Sequence, residues 1–302
     1  MKNKLFHEAA IDPAFVTGEN AMVVMREFRL DRARYIEKMP EDWAKLCKDV
    51  MMSEQDEATR HKKLSYLSQI QNSVLRIRKG RVAIGKDWKE QVAAAARLSP
   101  FDVILRDGRA TVEGAVIDID EYLIDSELSI GSVEKVFKHP MDWIPVLQPV
   151  ISADNSIVLV DRYFDLKQLD YYDAFTCLVE LVAANPLLRE LRIVVAPTAP
   201  KEDASPEEHI RRRDSLAGLV RGFLREHSPG LKTGVFVFSV PELHKRYLTS
   251  KHCGLELDFG LRVHRTKKQR ISVLRSSQMN EVCSTYMALA KGGISAWPIR
   301  GV

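Results

Sequence analysis

The chain has 302 residues, 45% of them hydrophobic and 28% charged, with a formal net charge of +4. That length suits two modest domains with their own cores, and the balance is that of a globular protein, not of a disordered tract. The charge permits binding to polyanions without requiring it, so the local clusters carry more information than the total. No apolar run approaches the length of a membrane span. The segment Met1-Lys2-Asn3-Lys4-Leu5-Phe6-His7-Glu8 meets an acid too early for a secretory signal. Cys47, Cys177, Cys253 and Cys283 form no CxxC pair, so the expected setting is the reducing cytoplasm, with free thiols.

Residues up to about 100 read as mainly helical. Pro40-Glu41-Asp42-Trp43 resembles a helix start with acid in the first turn, and Trp43, Leu46, Cys47 and Val50 recur at helical spacing. Ser53 and Asp56 form a loose capping box. A long helix is predicted beyond them, with Leu64, Leu67, Ile70, Val74 and Ile77 on one stripe. Gly80 and Gly85 bracket a break. Trp88 to Leu98 predicts another helix, and Pro100 ends it. Phe101 to Leu105 and Ala115 to Ile119 look like strands with Asp107-Gly108 as the turn between them. Ser132 and Pro140 bracket a short predicted helix. The sequence shows no internal repeat and no low-complexity tract.

From about residue 146 the pattern alternates regularly. Ile157-Val158-Leu159-Val160 is a continuous apolar run, the mark of a strand buried on both faces. Asp165 is placed to cap the next helix, and Asn185-Pro186 stops it. Leu191 to Ala196 predicts a second strand, followed by a loop through Ala199-Pro200 to Ala204. Ser205-Pro206-Glu207-Glu208 then supplies a cap, a proline at the first helical position and a glutamate at the third. Val235 to Val240 predicts a third strand. Arg246 to Thr249, Leu255 to Val263 and Arg270 to Leu274 follow as further strands, the last two joined by a hairpin at Thr266-Lys267-Lys268-Gln269. A final helix spans about Gln278 to Ala290. The fold class is therefore mixed α/β: a mainly helical region over 1–145, then a mixed sheet with helices on its faces over 146–302.

With these elements in place, residues of about 146 to 290 resemble a phospholipase D-like domain. The variant is similar to the one found behind MIT domains in eukaryotes and to bacterial domains encoded in defence loci. Three features carry the resemblance: Asp161-Arg162-Tyr163 at the end of the first strand, His244-Lys245-Arg246-Tyr247 after the third, and Gly254 to Phe259 with Gly260. Residues 1–145 resemble no family. Active members of that superfamily use H-x-K-x4-D, in which the histidine attacks phosphorus and the lysine holds phosphate oxygens. The resemblance implies His244 as nucleophile, Arg246 as phosphate clamp and Asp161 as electrostatic partner. Arginine stands where lysine belongs, and can still hold a phosphate in bidentate geometry. Lys251 stands where the motif's aspartate belongs, leaving Asp161 or Asp258 to supply a carboxylate. With one candidate histidine per chain, catalysis implies a homodimer with two His244 residues at its interface. Three roles are open to His244: nucleophile, part of a non-catalytic anion site with Lys245 and Arg246, or a structural strand-end residue.

Arg262, His264, Arg265, Lys267, Lys268 and Arg270 make the densest basic stretch. It suits a nucleic-acid backbone, because attraction to phosphates adds over several cations; the alternative is a charged edge hairpin that discourages strand aggregation. Arg76, Arg78, Lys79, Arg81, Lys86 and Lys89 form a second basic run, read first as a solvated helix end. Arg211-Arg212-Arg213 reads as an intrahelical charge network. No metal or cofactor is expected: the spacings of His244, His252, Cys253 and His264 fit no zinc site, and no phosphate-binding glycine loop is present.

Three functions compete. The favoured one is a degenerate phospholipase D-like module that holds phosphate or nucleic acid within a larger complex, for which the resemblance suggests bacterial anti-phage defence. The others are a metal-independent phosphodiesterase acting through His244, and a module that binds anionic lipid headgroups.

Overall fold

The computed structural model describes residues 4–18, 21–75, 81, 83–119, 121–122, 131–196, 205–241, 243–289 and 293–297. Two compact units divide the chain, Met1–Gly131 and Ser132–Val302.

The first unit is built on a six-stranded sheet. Its strands are β1 (His7–Ile11), β2 (Arg34–Glu37), β3 (Val74–Leu75), β4 (Val103–Arg106), β5 (Arg109–Val112) and β6 (Ala115–Asp118), in the order β3-β2-β1-β4-β5-β6. The first four run parallel, and β4, β5 and β6 form an antiparallel meander. Asp107-Gly108 turns β4 into β5, and Glu113-Gly114 turns β5 into β6, each with two consecutive positive φ angles. That is the backbone twist a tight hairpin prefers. The sequence suggested one hairpin from 101 to 119; the structure contains two, with β5 between the expected strands.

Helices α1 (Pro13–Thr17), α2 (Ala21–Glu27), α3 (Trp43–Met52), α4 (Glu57–Ile70) and α5 (Trp88–Leu98) pack around this sheet. Helix therefore exceeds strand in the first unit, as expected, but β1 and β2 were invisible in the sequence. Their charges hide the burial pattern. Glu8 accepts from Arg81 Nη2 at 3.0 Å, with both side chains almost fully enclosed. Glu27 gathers Arg26, Arg32 and Arg34. The stripe from Leu64 to Ile77 is shorter than its pattern: α4 ends at Ile70, Val74 begins a strand, and Ile77 and Gly80 lie outside the described residues.

The second unit holds an eight-stranded sheet. Its strands are β7 (Ser132–Lys135), β8 (Ser156–Val160), β9 (Glu190–Val195), β10 (Gly234–Ser239), β11 (Tyr247–Ser250), β12 (Gly254–Leu257), β13 (Gln269–Val273) and β14 (Ile294–Trp297), ordered β14-β10-β9-β8-β11-β12-β13-β7. The apolar runs of β8, β9 and β10 pair in parallel, joined through α7 (Leu169–Ala184) and α8 (Pro206–His227). The remaining neighbours are antiparallel. The order of elements also includes α6 (Ile144–Ser152) and α9 (Ser276–Tyr286). The capping box at Ser205 forms as predicted, with Ser205 Oγ and the Glu208 side chain exchanging backbone partners.

Four expectations need correction here. Ser132 to Lys135 is a strand, not a helix, because it completes the sheet against β13. Asp165 caps no helix: it accepts from the Lys167 N–H at 3.1 Å, and α7 begins later, at Leu169. The strand expected to run to Val263 stops at Leu257, because Gly260 at φ +81° turns the chain out of the ladder. β12 and β13 still pair as an antiparallel hairpin, but residues 258–268 form a longer connection than the expected turn at Thr266 to Gln269. The last predicted helix stops at Tyr286, short of Ala290, and the Ala199 to Ala204 loop lies outside the described residues.

The two units share a plan that the sequence does not reveal. Strand order 3-2-1-4-5-6 in the first matches 10-9-8-11-12-13 in the second. Each leading strand ends in an aspartate that accepts a backbone N–H two residues on: Asp12 from Ala14 at 2.8 Å, Asp161 from Tyr163 at 2.9 Å. A buried phenylalanine follows each, Phe15 and Phe164. The plans diverge at the fourth strand. In the first unit β4 lies parallel to β1, after α5; in the second β11 lies antiparallel to β8, after a short connection.

Candidate anion-binding site

The C-terminal end of β8 is where the second unit concentrates its unusual polar chemistry. Register pairs Val160 with Tyr247, which sets the flanking residues Asp161 and Arg246 side by side at one end of the sheet. The ladder holds both: the Asp161 N–H donates to Val194 at 3.0 Å, and the Arg246 carbonyl accepts from Leu257 at 2.9 Å.

Asp161 is fully buried. Its Oδ1 accepts from the Tyr163 N–H at 2.9 Å and from the Tyr171 hydroxyl at 3.4 Å. The Arg246 Nε lies 3.5 Å from the same oxygen, an ion pair without the alignment of a hydrogen bond, and Asp161 Oδ2 has no hydrogen-bond partner among the described residues. Burial pushes the Asp161 carboxyl up to about 6, against the opposing pull of the Tyr163 N–H, Arg246, Tyr171 and Arg262. Burial likewise raises the Tyr171 hydroxyl, with the neighbouring carboxylate adding to the effect.

Gly260 makes this arrangement possible. A Cβ placed there would lie 1.9 Å from Asp161 Oδ2 and 3.2 Å from Arg246 Cδ. The loop backbone therefore closes over the carboxylate as no side chain would allow.

Arg246 is held in part by its surroundings, its Nε enclosed without a hydrogen-bond partner among the described residues. Besides Asp161, its Nη1 donates to the Asp258 carbonyl, and its guanidinium sits 5.1 Å from the Tyr163 ring centre. Arg262 is drawn into the same cluster by the 258–268 loop. Its Nη2 donates to Gln168 Oε1 at 2.8 Å, and its guanidinium lies 4.5 Å from the Tyr171 ring centre. Its own carbonyl accepts from Trp143 Nε1 at 3.1 Å. Arg262 and His264 thus lie on a loop and share no strand face. Arg262 turns toward Gln168, Asp170 and the Tyr171 ring, whereas the His264 ring lies edge-on to Phe259 at 6.0 Å.

His244 is exposed on the connection between β10 and β11. Among the described residues its ring enters no hydrogen bond or ion pair, so neither Asp161 nor Asp258 orients it. Lys245 pairs with Glu256 at 3.2 Å. Lys251, at the position of the motif's acid, is exposed and donates its backbone N–H to Asp154. Arg265, Lys267, Lys268 and Arg270 are exposed on or beside the loop, and Arg270 Nε donates to Ser132 Oγ at 3.3 Å.

The other basic clusters are not comparable. Arg81, expected in a basic run, is buried on Glu8, while Arg76, Arg78 and Lys79 lie outside the described residues. In the triple-arginine helix, Arg213 pairs with Asp214 and Arg212 donates to the Phe164 carbonyl. All four cysteines are free thiols. Among the described residues, no three His, Cys, Asp or Glu side chains gather in a way that could hold a metal ion. No described helix is long and apolar enough to cross a membrane.

Sequence reasoning missed Tyr171 and the roles of Arg162 and Gly260. Tyr171 carries no local signal, being one aromatic residue on an amphipathic helix. Gly260 offered a weak one, as a glycine closing an otherwise apolar segment.

No family model matches the chain, and no curated protein matches it. Among solved structures, it is similar to Nuc, a phospholipase D family member from Salmonella typhimurium, at 8% identity and a TM-score of 0.31, over 50% of this chain and 88% of that one. It is also similar to phosphatidylserine synthase from Haemophilus influenzae Rd KW20, at 9% identity and a TM-score of 0.33, over 71% of this chain and 48% of that one. A third is TrmBL2, an archaeal chromatin protein with a novel mode of DNA binding, at 11% identity and a TM-score of 0.28, over 55% of this chain and 57% of that one. The chain thus spans about half the length of the last two. Likeness this distant assigns no residue of the site, and the chemistry rests on the side chains around Asp161.

Proposed function

We propose that the second unit is a phospholipase D-like module that binds phosphodiester chains at the C-terminal end of its parallel strands and does not cut them. The observation that carries this reading is the pairing of Arg246. The residue in the phosphate-clamping position of the resembled motif is held by buried Asp161 and the Asp258 carbonyl, while His244 has no orienting carboxylate among the described residues. A histidine nucleophile needs a positioned partner, and a clamp needs free donors aimed at the phosphate. Neither condition favours cleavage. Binding has better support, from exposed Arg265, Lys267, Lys268 and Arg270 on one loop and its flank. In this reading the module serves within a larger assembly whose chemistry is done elsewhere.

The test is a metal-free cleavage assay on single- and double-stranded DNA and RNA in EDTA, for the wild-type chain beside His244→Ala, with binding measured in parallel. The expected result is no cleavage by either protein and salt-sensitive binding by both. Replacing Lys267 and Lys268 by Gln should flatten the plot of log affinity against log salt by about 0.9 for each duplex DNA phosphate that the variant no longer neutralises. Cleavage that disappears in His244→Ala would overturn the reading and make the protein an enzyme.

A further inference from the structure

Beside the Asp161–Arg246 pair stands a group that this reading leaves unused. Arg162 is half-buried, yet its guanidinium forms no hydrogen bond or ion pair among the described residues, and its Nε is enclosed without a partner. An enclosed donor without a partner is costly, so the Arg162 Nε has hydrogen-bonding capacity left for a water or a ligand. Next to it Tyr163 is one of the few large aromatic rings at the surface, 37% exposed. Two guanidinium groups flank that ring, Arg162 at 5.7 Å and Arg246 at 5.1 Å from its centre. The backbone that carries the ring is anchored, its N–H donating to buried Asp161 at 2.9 Å.

An exposed ring with an arginine donor left over beside it suits one kind of polyanion. An unstacked base has a free π face for the tyrosine, and the phosphate next to it offers acceptors to Arg162. In a duplex the bases are stacked on each other, and only the backbone could reach the site, leaving the ring without a partner. The exposed loop cations do not discriminate in this way, since they attract any phosphate chain. We infer that Tyr163 and Arg162 form a base-stacking and phosphate-holding platform that makes the module selective for single-stranded nucleic acid. This rests on the reading of the second unit as a polyanion-binding module and adds the class of polyanion.

The experiment is fluorescence anisotropy at fixed salt on the full chain, with a labelled single-stranded oligonucleotide, the same sequence as a duplex, and inorganic polyphosphate as a base-free competitor. Variants are Tyr163→Ala, Tyr163→Phe and Arg162→Gln. The single strand should bind at least about tenfold tighter than the duplex. Tyr163→Ala should lose about 5- to 150-fold of single-strand affinity, the range expected for one stacked base, and Tyr163→Phe should retain it. Arg162→Gln should weaken the single strand and polyphosphate alike, since both offer phosphate to Arg162. Tyr163→Ala should leave polyphosphate binding unchanged, which also shows that the variant is folded. If the wild type binds duplex or polyphosphate as tightly as the single strand, or if Tyr163→Ala loses nothing, the inference is overturned while polyanion binding stands. Failure to bind any of the three ligands would remove both.

Discussion

Substitution of Gly260 by alanine tests the packing on which the site depends. Two costs combine. Gly260 has φ +81°, and placing an L-residue in the left-handed region costs about 1–2 kcal/mol. The added Cβ would also stand 1.9 Å from Asp161 Oδ2, closer than any real contact. Asp161 is fully buried and cannot give way into solvent. It must move against its neighbours, weakening the bond from the Tyr163 N–H and leaving buried polar groups unsatisfied, at about 1–3 kcal/mol more. The total of about 2–5 kcal/mol corresponds to a Tm lower by roughly 4–20 °C for a domain of this size. The assay is thermal unfolding followed by circular dichroism, beside Gly114→Ala as a control. Gly114 has φ +87° but nothing within 4 Å of its would-be Cβ, so it reports the conformational cost alone. In an Asp161→Ala background the collision disappears, and Gly260→Ala should then cost no more than the control. Equal losses for Gly260→Ala and Gly114→Ala in the wild-type chain would refute the close approach.

Two further predictions concern buried charge. Because the Asp161 carboxyl sits at about 6 in the fold and at 3.8 ordinarily, the folded state takes up this proton first as pH falls. Its contribution to stability therefore grows as pH drops from about 6 toward 3.8, and is lost again as pH rises through 6. At roughly 1.4 kcal/mol per pH unit the full effect is about 3 kcal/mol. Glu27 and Asp142, whose carboxyls are held below their usual range, pull the other way. The quantity to measure is thus the stability of wild type minus that of Asp161→Asn across pH 4 to 7; a flat difference would sink the argument. In the first unit, Glu8→Ala and Arg81→Ala should each cost about 3–5 kcal/mol, since each strands a buried charge. Arg81 also donates to the Ser99 and Pro100 carbonyls and lies 3.7 Å from the Phe101 ring centre. The double variant should lose clearly less than the sum of the two in chemical denaturation, and strict additivity would mean that the pair does not interact.

How much of the molecule was legible in the sequence varied with the kind of signal. Strands β8, β9 and β10 announce themselves because a strand buried on both faces must be apolar along its length. The start of α8 was legible for a different local reason: Ser205, Pro206 and Glu208 satisfy their own backbone within four residues. Strands β1 and β2 were not legible, since His7, Glu8, Arg34 and Glu37 read as surface and are buried. Their compensation comes from afar, as when Arg81 reaches Glu8 across 73 positions.

The candidate site divides along the same line. Local pattern was enough to show which reactive side chains the second unit carries and that Asp161 directly follows a buried strand. It also determined that arginine and lysine replace two residues of the resembled catalytic motif. Those are properties of composition and local pattern. The packing adds that Arg246 pairs with Asp161, that Arg262 leaves the basic stretch for the Tyr171 ring, and that Arg162 and His244 make no side-chain hydrogen bond or ion pair among the described residues. Each of these depends on strand register and on a loop that turns at Gly260, and such contacts form between residues many positions distant. Local periodicity cannot encode them, because it records only which face of its own element a side chain occupies.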